Sequence, residues 1–393
     1  MISHYVLCNS RQNTSQTFKN VVNCFYDIHY IYDIYYIWKE SLMFNLFFHN
    51  TRHQLYIRLL QQLTALCLSA VTLLGLTACS KQSLFPPADT SVAVSGFKLN
   101  TFVRITAYGT NIDKTILENA LRLCDQYENI FSRTKETSEL YAVNHQQITT
   151  LSAPLAELIN KSLYYCNISQ GAFDISIGSV SSLWDFTAET PVVPDAAKIN
   201  AALSTIGYRS VKLTDTADLS LPEGTMLDLG AVAKGYIADQ IKEYLLANGI
   251  SSALIDLGGN VLCVGTKPGN INFGVGVRKP FDETGATLMN LSINDLSIVS
   301  SGTYERCFTS ADGKFYHHIL NPDTGYPYET DLTQVTIISK LSVDGDCLST
   351  TCFALGLDKG MALIESTLDV EAVFVTNDGT MHQSSGVGKY IKD

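Results

Sequence analysis

Apolar residues Ile116, Ala120, Leu123, Tyr127 and Ile130 recur at steps of four and three, the spacing of one helix face. A second helix is predicted from Pro154 to about Ile168, with Ser152 ahead of a proline in the first turn. A third runs from about Ala231 to Ala247. There Ile237, Ile241 and Leu245 share a face, and Gly249 stands where helices commonly end on glycine. Residues 346–365 again read as helix, with a break near Gly356. Short runs rich in β-branched and aromatic residues predict strands at 253–257, 272–277, 296–300, 315–320, 333–339 and 371–376. Helices and strands interleave irregularly and no repeat of 20–50 residues is visible, so the pattern predicts one α+β domain of roughly 300 residues.

The chain ahead of that domain is patterned differently. Residues 63–78 are uncharged and mostly apolar, but shorter than the roughly 20 residues that span a bilayer. Arg52, His53 and Arg58 precede this run and Leu76-Thr77-Ala78-Cys79 closes it, the order of a secretory signal. A cysteine directly after Leu-Thr-Ala resembles the bacterial lipobox, which implies lipidation of Cys79 as the mature N-terminus. Residues 1–42 carry Tyr26, Tyr30, Tyr32, Tyr35, Tyr36 and Trp38, broken by Asp27 and Asp33, and do not fit an export signal. The expected organisation is therefore an over-extended N-terminus at 1–42, a lipoprotein signal peptide at 43–78 beginning at Met43, a lipid-anchored tether at 79–95, and the folded domain at 96–393.

Composition narrows the function classes. Hydrophobic residues at 46% suffice for a large core and exclude a disordered chain, while a net charge of −11 argues against nucleic acid as the main partner. The six cysteines after Cys79 (Cys124, Cys166, Cys263, Cys307, Cys347 and Cys352) have no zinc-ligand spacing and are expected to be mostly buried thiols. No GxGxxG follows a first strand, so a dinucleotide-binding Rossmann domain is not supported.

Candidate chemistry sits in glycine-punctuated segments. In 171–178 small residues would let a ligand approach the backbone, and Trp184 and Phe186 either wall a pocket or belong to the core. In 227–236 a glycine turn leads into a helix start with free N–H groups. Lys234, a cation in a helix's first turns, hints at an anionic ligand there. Asp256-Leu257-Gly258-Gly259-Asn260 is a strand end with paired glycines. His317 and His318 are neighbours on a strand and face opposite ways, so they cannot chelate one metal together. Either could serve as a base near neutral pH. The run 321–327, Asn-Pro-Asp-Thr-Gly-Tyr-Pro, reads as a tight turn. Asp346 and Thr350, four apart, share a helix face and offer hard oxygens suited to Mg2+, although Asp344 or Asp346 could simply cap that helix.

In this order after a lipobox, GAFDIS…LWDF, LDLGAVAKGYIAD, SSGTYER, HHILNPDTGYP and DCLST resemble the ApbE family of FAD:protein FMN transferases, over about residues 95–385. The resemblance implies a single α+β domain, related to the T-fold, with mixed or antiparallel sheets and flanking helices. It implies an enzyme that binds FAD and Mg2+, cleaves the pyrophosphate, releases AMP, and attaches FMN by a phosphoester bond to Thr or Ser of exported flavoproteins or of flavoprotein subunits of membrane redox complexes. It further implies that Asp346, Thr350, Ser349 and the Ala231 carbonyl hold the metal, and that His318 is the base. Leu99, Thr134, Ala172, Phe173, Asp174, Asp228, Lys234 and Leu320 would line the FAD site. Localisation would be the periplasmic side of the inner membrane, through the lipid anchor only.

Three positions depart from the family pattern: Leu99-Asn100-Thr101 replaces a frequent Met-Gly-Thr, Thr134 a common aromatic, and Asn321 a frequent Asp. Two other functions stay open at this point, an FAD pyrophosphatase releasing free FMN and AMP, and a lipid-anchored FAD-binding protein without activity.

Overall fold

The computed structural model describes residues 90–391. Cys79, the signal segment and most of the tether lie outside the described residues. Two long strands open the domain, β1 (Ser91–Lys98) and β2 (Thr101–Tyr108), and β1 takes in Ser91–Ser95, which sequence reading had given to the tether. Alternation explains this hairpin: Val103, Ile105 and Ala107 face the core while Phe102 and Arg104 face out. A positional pattern of this kind is easily missed where serine and threonine separate the apolar residues.

Four helices build one layer: α1 (Lys114–Phe131), α2 (Ala153–Ile168), α3 (Ala233–Ala247) and α4 (Ser342–Glu365). The predicted face of α3 holds, with Ile237, Ile241 and Leu245 fully buried and Gly249 left-handed just past the end. In α4 the expected break is real: Gly356 has φ 77° and ψ 177°.

The strands after α3 are β3 (Ala253–Leu257), β4 (Asn260–Val264), β5 (Phe273–Arg278), β6 (Thr287–Ile293), β7 (Ser297–Gly302), β8 (Cys307–Thr309), β9 (Phe315–His317), β10 (Leu332–Ser339), β11 (Glu371–Thr376) and β12 (Met381–Gln383). Eight of them form one antiparallel sheet in the order β1-β2-β3-β4-β7-β10-β11-β12. The helices cover one face of this sheet. The β5–β6 hairpin packs on the other through Phe273, Val277, Leu291 and Ile293 against Ile298 and Ile338. Sandwiched between both layers, all eight residues of β10 are buried, and such a strand loses its polar alternation.

The β8–β9 hairpin also stands apart from the main sheet. Trp184 and Phe186 pack with Tyr316 in a small core there, and the Trp184 Nε1–H donates to the Gly325 carbonyl at 2.9 Å. Of the two readings of this aromatic pair, core is the one realised. The six cysteines in the described residues are free thiols, buried except for half-buried Cys307.

Candidate active site

The centre of the site is where α3 begins and α4 passes beneath it. Val232 precedes α3 without any side-chain cap, which leaves first-turn N–H groups to find other partners. One of them, Gly235 N–H, donates to Asp346 Oδ2. A side chain at position 235 would collide with the backbone at Ser342 and Val343, so glycine is what lets the two helices approach so closely.

Asp346 Oδ1 accepts from Asn260 Nδ2 at 2.9 Å, and Asn260 Oδ1 in turn accepts from the Ser342 hydroxyl at 2.7 Å. Burial raises the Asp346 carboxyl above the usual range, opposed by the positive charge of Lys234. Lys234 in the first turn of α3 is thus explained in part by this buried carboxylate.

The capping alternatives for Asp344 and Asp346 fall away. The start of α4 is capped from outside by Asp239 of α3, whose carboxylate accepts the N–H groups of Ser342 and Val343 at 2.8 and 2.9 Å. Asp344 is instead tied to Lys161 at 2.7 Å and to the Tyr165 hydroxyl at 2.6 Å.

One turn further along α4, the buried Ser349 hydroxyl donates to the Asp346 carbonyl at 3.1 Å and lies 2.8 Å from Ser301 Oγ. Ser301 Oγ is 3.5 Å from Thr350 Oγ1. Asp346, Ser349 and Thr350 are therefore gathered together, with Ser301 of β7 added. Ala231 lies exposed just before α3. Among the described residues no group of three or more His, Cys, Asp or Glu side chains converges, so any cation here would rest mainly on hydroxyl and carbonyl oxygens.

Asp228 is fixed by its surroundings. Its Oδ2 accepts from Arg133 Nε at 2.8 Å and from the Ser181 hydroxyl at 2.6 Å, and its Oδ1 from Gly230 N–H at 2.9 Å. Asp174 is buried with both oxygens engaged, by Ser176 N–H and hydroxyl and by Tyr208 N–H. Phe173 is buried core, and the Ala172 carbonyl accepts the Tyr328 hydroxyl at 2.8 Å. Leu320 is half-buried and bridges to Pro327. Thr134 is exposed beside Ser132, next to the Arg133 that reaches Asp228.

Leu99 and Asn100 both have left-handed backbones, with φ of 53° and 55°, and close the two-residue turn between β1 and β2. That turn sits against the β3–β4 turn: at Gly258, with φ 68°, a Cβ would overlap the Thr101 hydroxyl. Asn260, the Asp346 partner, follows two residues on.

The structure places His318 off the strand predicted to carry it. The predicted strand 315–320 ends at His317, and His318 lies just beyond it, its N–H donating to the Arg306 carbonyl at 3.1 Å. Its Nδ1 is shut off from solvent and has no partner. Burial, reinforced by Arg306, His317 and Lys234, pushes its pKa down to about 3, well away from neutrality. His317 differs: Nε2 meets the Tyr328 carbonyl at 3.0 Å and Nδ1 accepts from Ile319 N–H at 3.3 Å.

Sequence reasoning singles out the segments of Asn260, Ser301 and Asp239 but gives these residues no role, and it misses Arg133; each is a polar residue whose role arises only from long-range packing. The same holds for Glu305. This carboxylate reaches solvent, yet the crowding protein raises its pKa, opposed by Lys234 and Arg306.

With this geometry in place, comparison with known proteins is decisive. The ApbE family matches residues 99–374. The chain belongs to the ApbE family. An FAD:protein FMN transferase of Klebsiella pneumoniae is 38% identical over 279 residues, a match covering 70% of this chain and 86% of the relative. One from Treponema pallidum is 34% identical over 310 residues, covering 74% and 85%. The ApbE protein of Thermotoga maritima has a solved structure that aligns with TM-score 0.71 at 29% identity, over 77% of this chain and all of that one. The chain is accordingly an enzyme, a flavin transferase of this family, and its α+β fold is the family's.

Proposed function

We propose that this ApbE-family enzyme uses FAD and Mg2+ to attach FMN through a phosphoester bond to Ser or Thr of exported flavoproteins, with release of AMP. The single observation that carries the reading is the convergence of the α3 N-terminus, Lys234, Asp346 and the Ser301–Ser349–Thr350 hydroxyls on one spot. A helix start and a lysine suit a diphosphate, and one carboxylate with hydroxyls suits a hard cation that also takes phosphate oxygens.

The donor set fits Mg2+. Each Asp346 oxygen accepts one hydrogen bond and keeps lone-pair capacity, and Thr350 presents a hydroxyl on the same helix face. Asp346, Thr350, Ser349 and the Ala231 carbonyl would hold the ion, which when bound supplies neutralisation of charge on the diphosphate. Lys234, at the start of α3, would bind and orient the phosphate oxygens. The Leu99 turn, Thr134, Ala172–Asp174, Asp228 and Leu320 shape the place for the rest of FAD. His318, held neutral by its surroundings, would be the group that takes the proton.

In the step itself, the acceptor hydroxyl oxygen forms a bond to the FMN phosphorus as the bond from that phosphorus to the AMP oxygen breaks. The hydroxyl proton passes to the His318 imidazole and AMP departs with the bonding pair. Cys79 as lipid anchor, with the domain on the periplasmic side of the inner membrane, completes the proposal. Incubation with FAD and Mg2+, with and without an acceptor domain, tests it. Protein-linked FMN is expected. Free FMN and AMP alone would make the enzyme a pyrophosphatase, and unchanged FAD would make it a binding protein.

A further inference from the structure

A cleft of about 390 Å³ opens between the β8–β9 hairpin, the loop 326–330 and the ends of β7 and β10. None of the expected FAD- or metal-contacting residues lines it. Its walls carry the rings of Phe281, Phe315, Tyr316, Tyr326 and Tyr328, and its polar groups include Thr303, Thr330, Thr333 and Asn377. We propose that this cleft seats an extended segment of the acceptor protein, an apolar side chain packing against Phe281 and Phe315 beside the Ser or Thr that receives FMN. The inference rests on the transferase reading above.

Three observations carry it. The first is charge. The cations coupled to the active-site carboxylates, Lys234 and Arg306, are absent from the lining, and Lys314 at the rim is already paired with Glu329 at 3.0 Å. A lining without a free cation is unsuited to a second diphosphate and well suited to an uncharged backbone with an apolar side chain.

The second is exposure. Phe281 and Phe315 are 60% and 40% exposed, with ring centroids 6.0 Å apart at 64°. Phe281 also has φ 56°, a backbone conformation that a bulky side chain rarely adopts. Aromatic rings held open in this way are typical anchors of a protein interface.

The third is continuity with the chemistry. β7 brings Ser301 to the Ser349 and Thr350 hydroxyls, and Thr303, two residues on, already lines the cleft. Two residues of extended chain span roughly 7 Å. On the opposite wall His317 lines the cleft and His318 follows it directly. His317 has both ring nitrogens engaged and is a wall, so a hydroxyl carried by the seated segment meets the site from the cleft side.

The test uses the full folded domain and, as probe, a synthetic peptide that carries one Thr flanked by apolar residues. Because both rings are exposed, Phe281→Ala/Phe315→Ala removes them without opening the core, and Thr303→Val gives a second, nearly isosteric variant. At saturating FAD, the double variant should raise the acceptor KM about tenfold or more, and weaken acceptor binding measured without FAD by a similar factor. FAD affinity, read from flavin fluorescence, should stay within about twofold. An unchanged acceptor KM alongside wild-type transfer overturns the cleft assignment and leaves the transferase reading intact. A tenfold loss of FAD affinity with acceptor KM unmoved also overturns it, since the cleft would then belong to the flavin. Wild-type protein that yields no peptide-linked FMN overturns both.

Discussion

The carboxylate of Asp239, on α3, accepts the backbone N–H of Ser342 at 2.8 Å, so that one helix of the active site caps the other. The bond fixes the first turn of α4, and Asp346 sits one turn later. Local sequence gives α4 no cap of its own.

Asp239 is buried, and that burial raises its pKa to about 6 despite the two N–H groups that favour its charged form. An acid whose folded pKa lies above its unfolded value binds protons more tightly when folded. Stability is therefore greatest below the unfolded value and falls as pH rises towards about 6, by about 3 kcal/mol in total for such a shift. Denaturant midpoints across pH 4–7 should show that fall. Asp239→Asn should flatten the slope while keeping one acceptor for the cap, and an equally steep profile in the variant would remove Asp239 as its source.

Asp346→Asn keeps an oxygen for Gly235 N–H but removes the charge. It should fold, and it should lose cation-dependent transfer by more than about 100-fold, the upper end of what removing a mere supporting residue costs at a metal site. Titration of Mn2+ as a paramagnetic stand-in should show a matching loss of binding in the absence of FAD. Undiminished Mn2+ binding would take Asp346 out of the cation site.

Periodicity made α1 to α4 and most central strands legible, because burial of one face imposes a repeat. The β1–β2 hairpin was hidden, since Ser91, Ser95, Thr101 and Thr106 dilute its apolar alternation. The chemical segments were legible in type and order, including the Asp346–Thr350 pair. What surrounds them was not. Asn260 holds Asp346 across 86 residues, Arg133 holds Asp228 across 95, and no local pattern encodes such partners. The lowered pKa at position 318 was hidden for the same reason, because it comes from burial by the fold and then from Arg306, His317 and Lys234 brought around the ring.

Gly258 and Gly249 offer a controlled pair. Both have positive φ, 68° and 78°, but a Cβ at 258 overlaps Thr101 while one at 249 meets nothing within 4 Å. Each alanine substitution should cost about 1–3 kcal/mol of backbone strain in chemical denaturation. Only Gly258→Ala should also weaken FAD binding, because it pushes on the turn that carries Leu99. Equal FAD affinities in the two variants would separate that turn from the flavin site.

His318 is the last group to test, and its environment sets the form of the test. In the free enzyme burial, Arg306, His317 and Lys234 together keep it neutral down to about pH 3. The profile of kcat/KM for FAD, which reports free-enzyme groups, should therefore carry no acid limb from this residue above about pH 4. On the proposed binding mode, FAD would bring a diphosphate to Lys234, offset its charge and make the imidazole more basic. The limb in kcat, which reports the complex, should lie at higher pH than in kcat/KM. His318→Ala should lower FMN transfer by about 10²–10⁴ and remove that kcat limb, with FAD affinity little changed. His317→Ala should behave otherwise. It strands the Tyr328 carbonyl and the Ile319 N–H, so its main cost is stability, about 1–3 kcal/mol for each buried group left unpaired. Wild-type transfer rates in His318→Ala would assign proton removal elsewhere, with Glu305, the crowded carboxylate opposite Lys234, as the next group to replace.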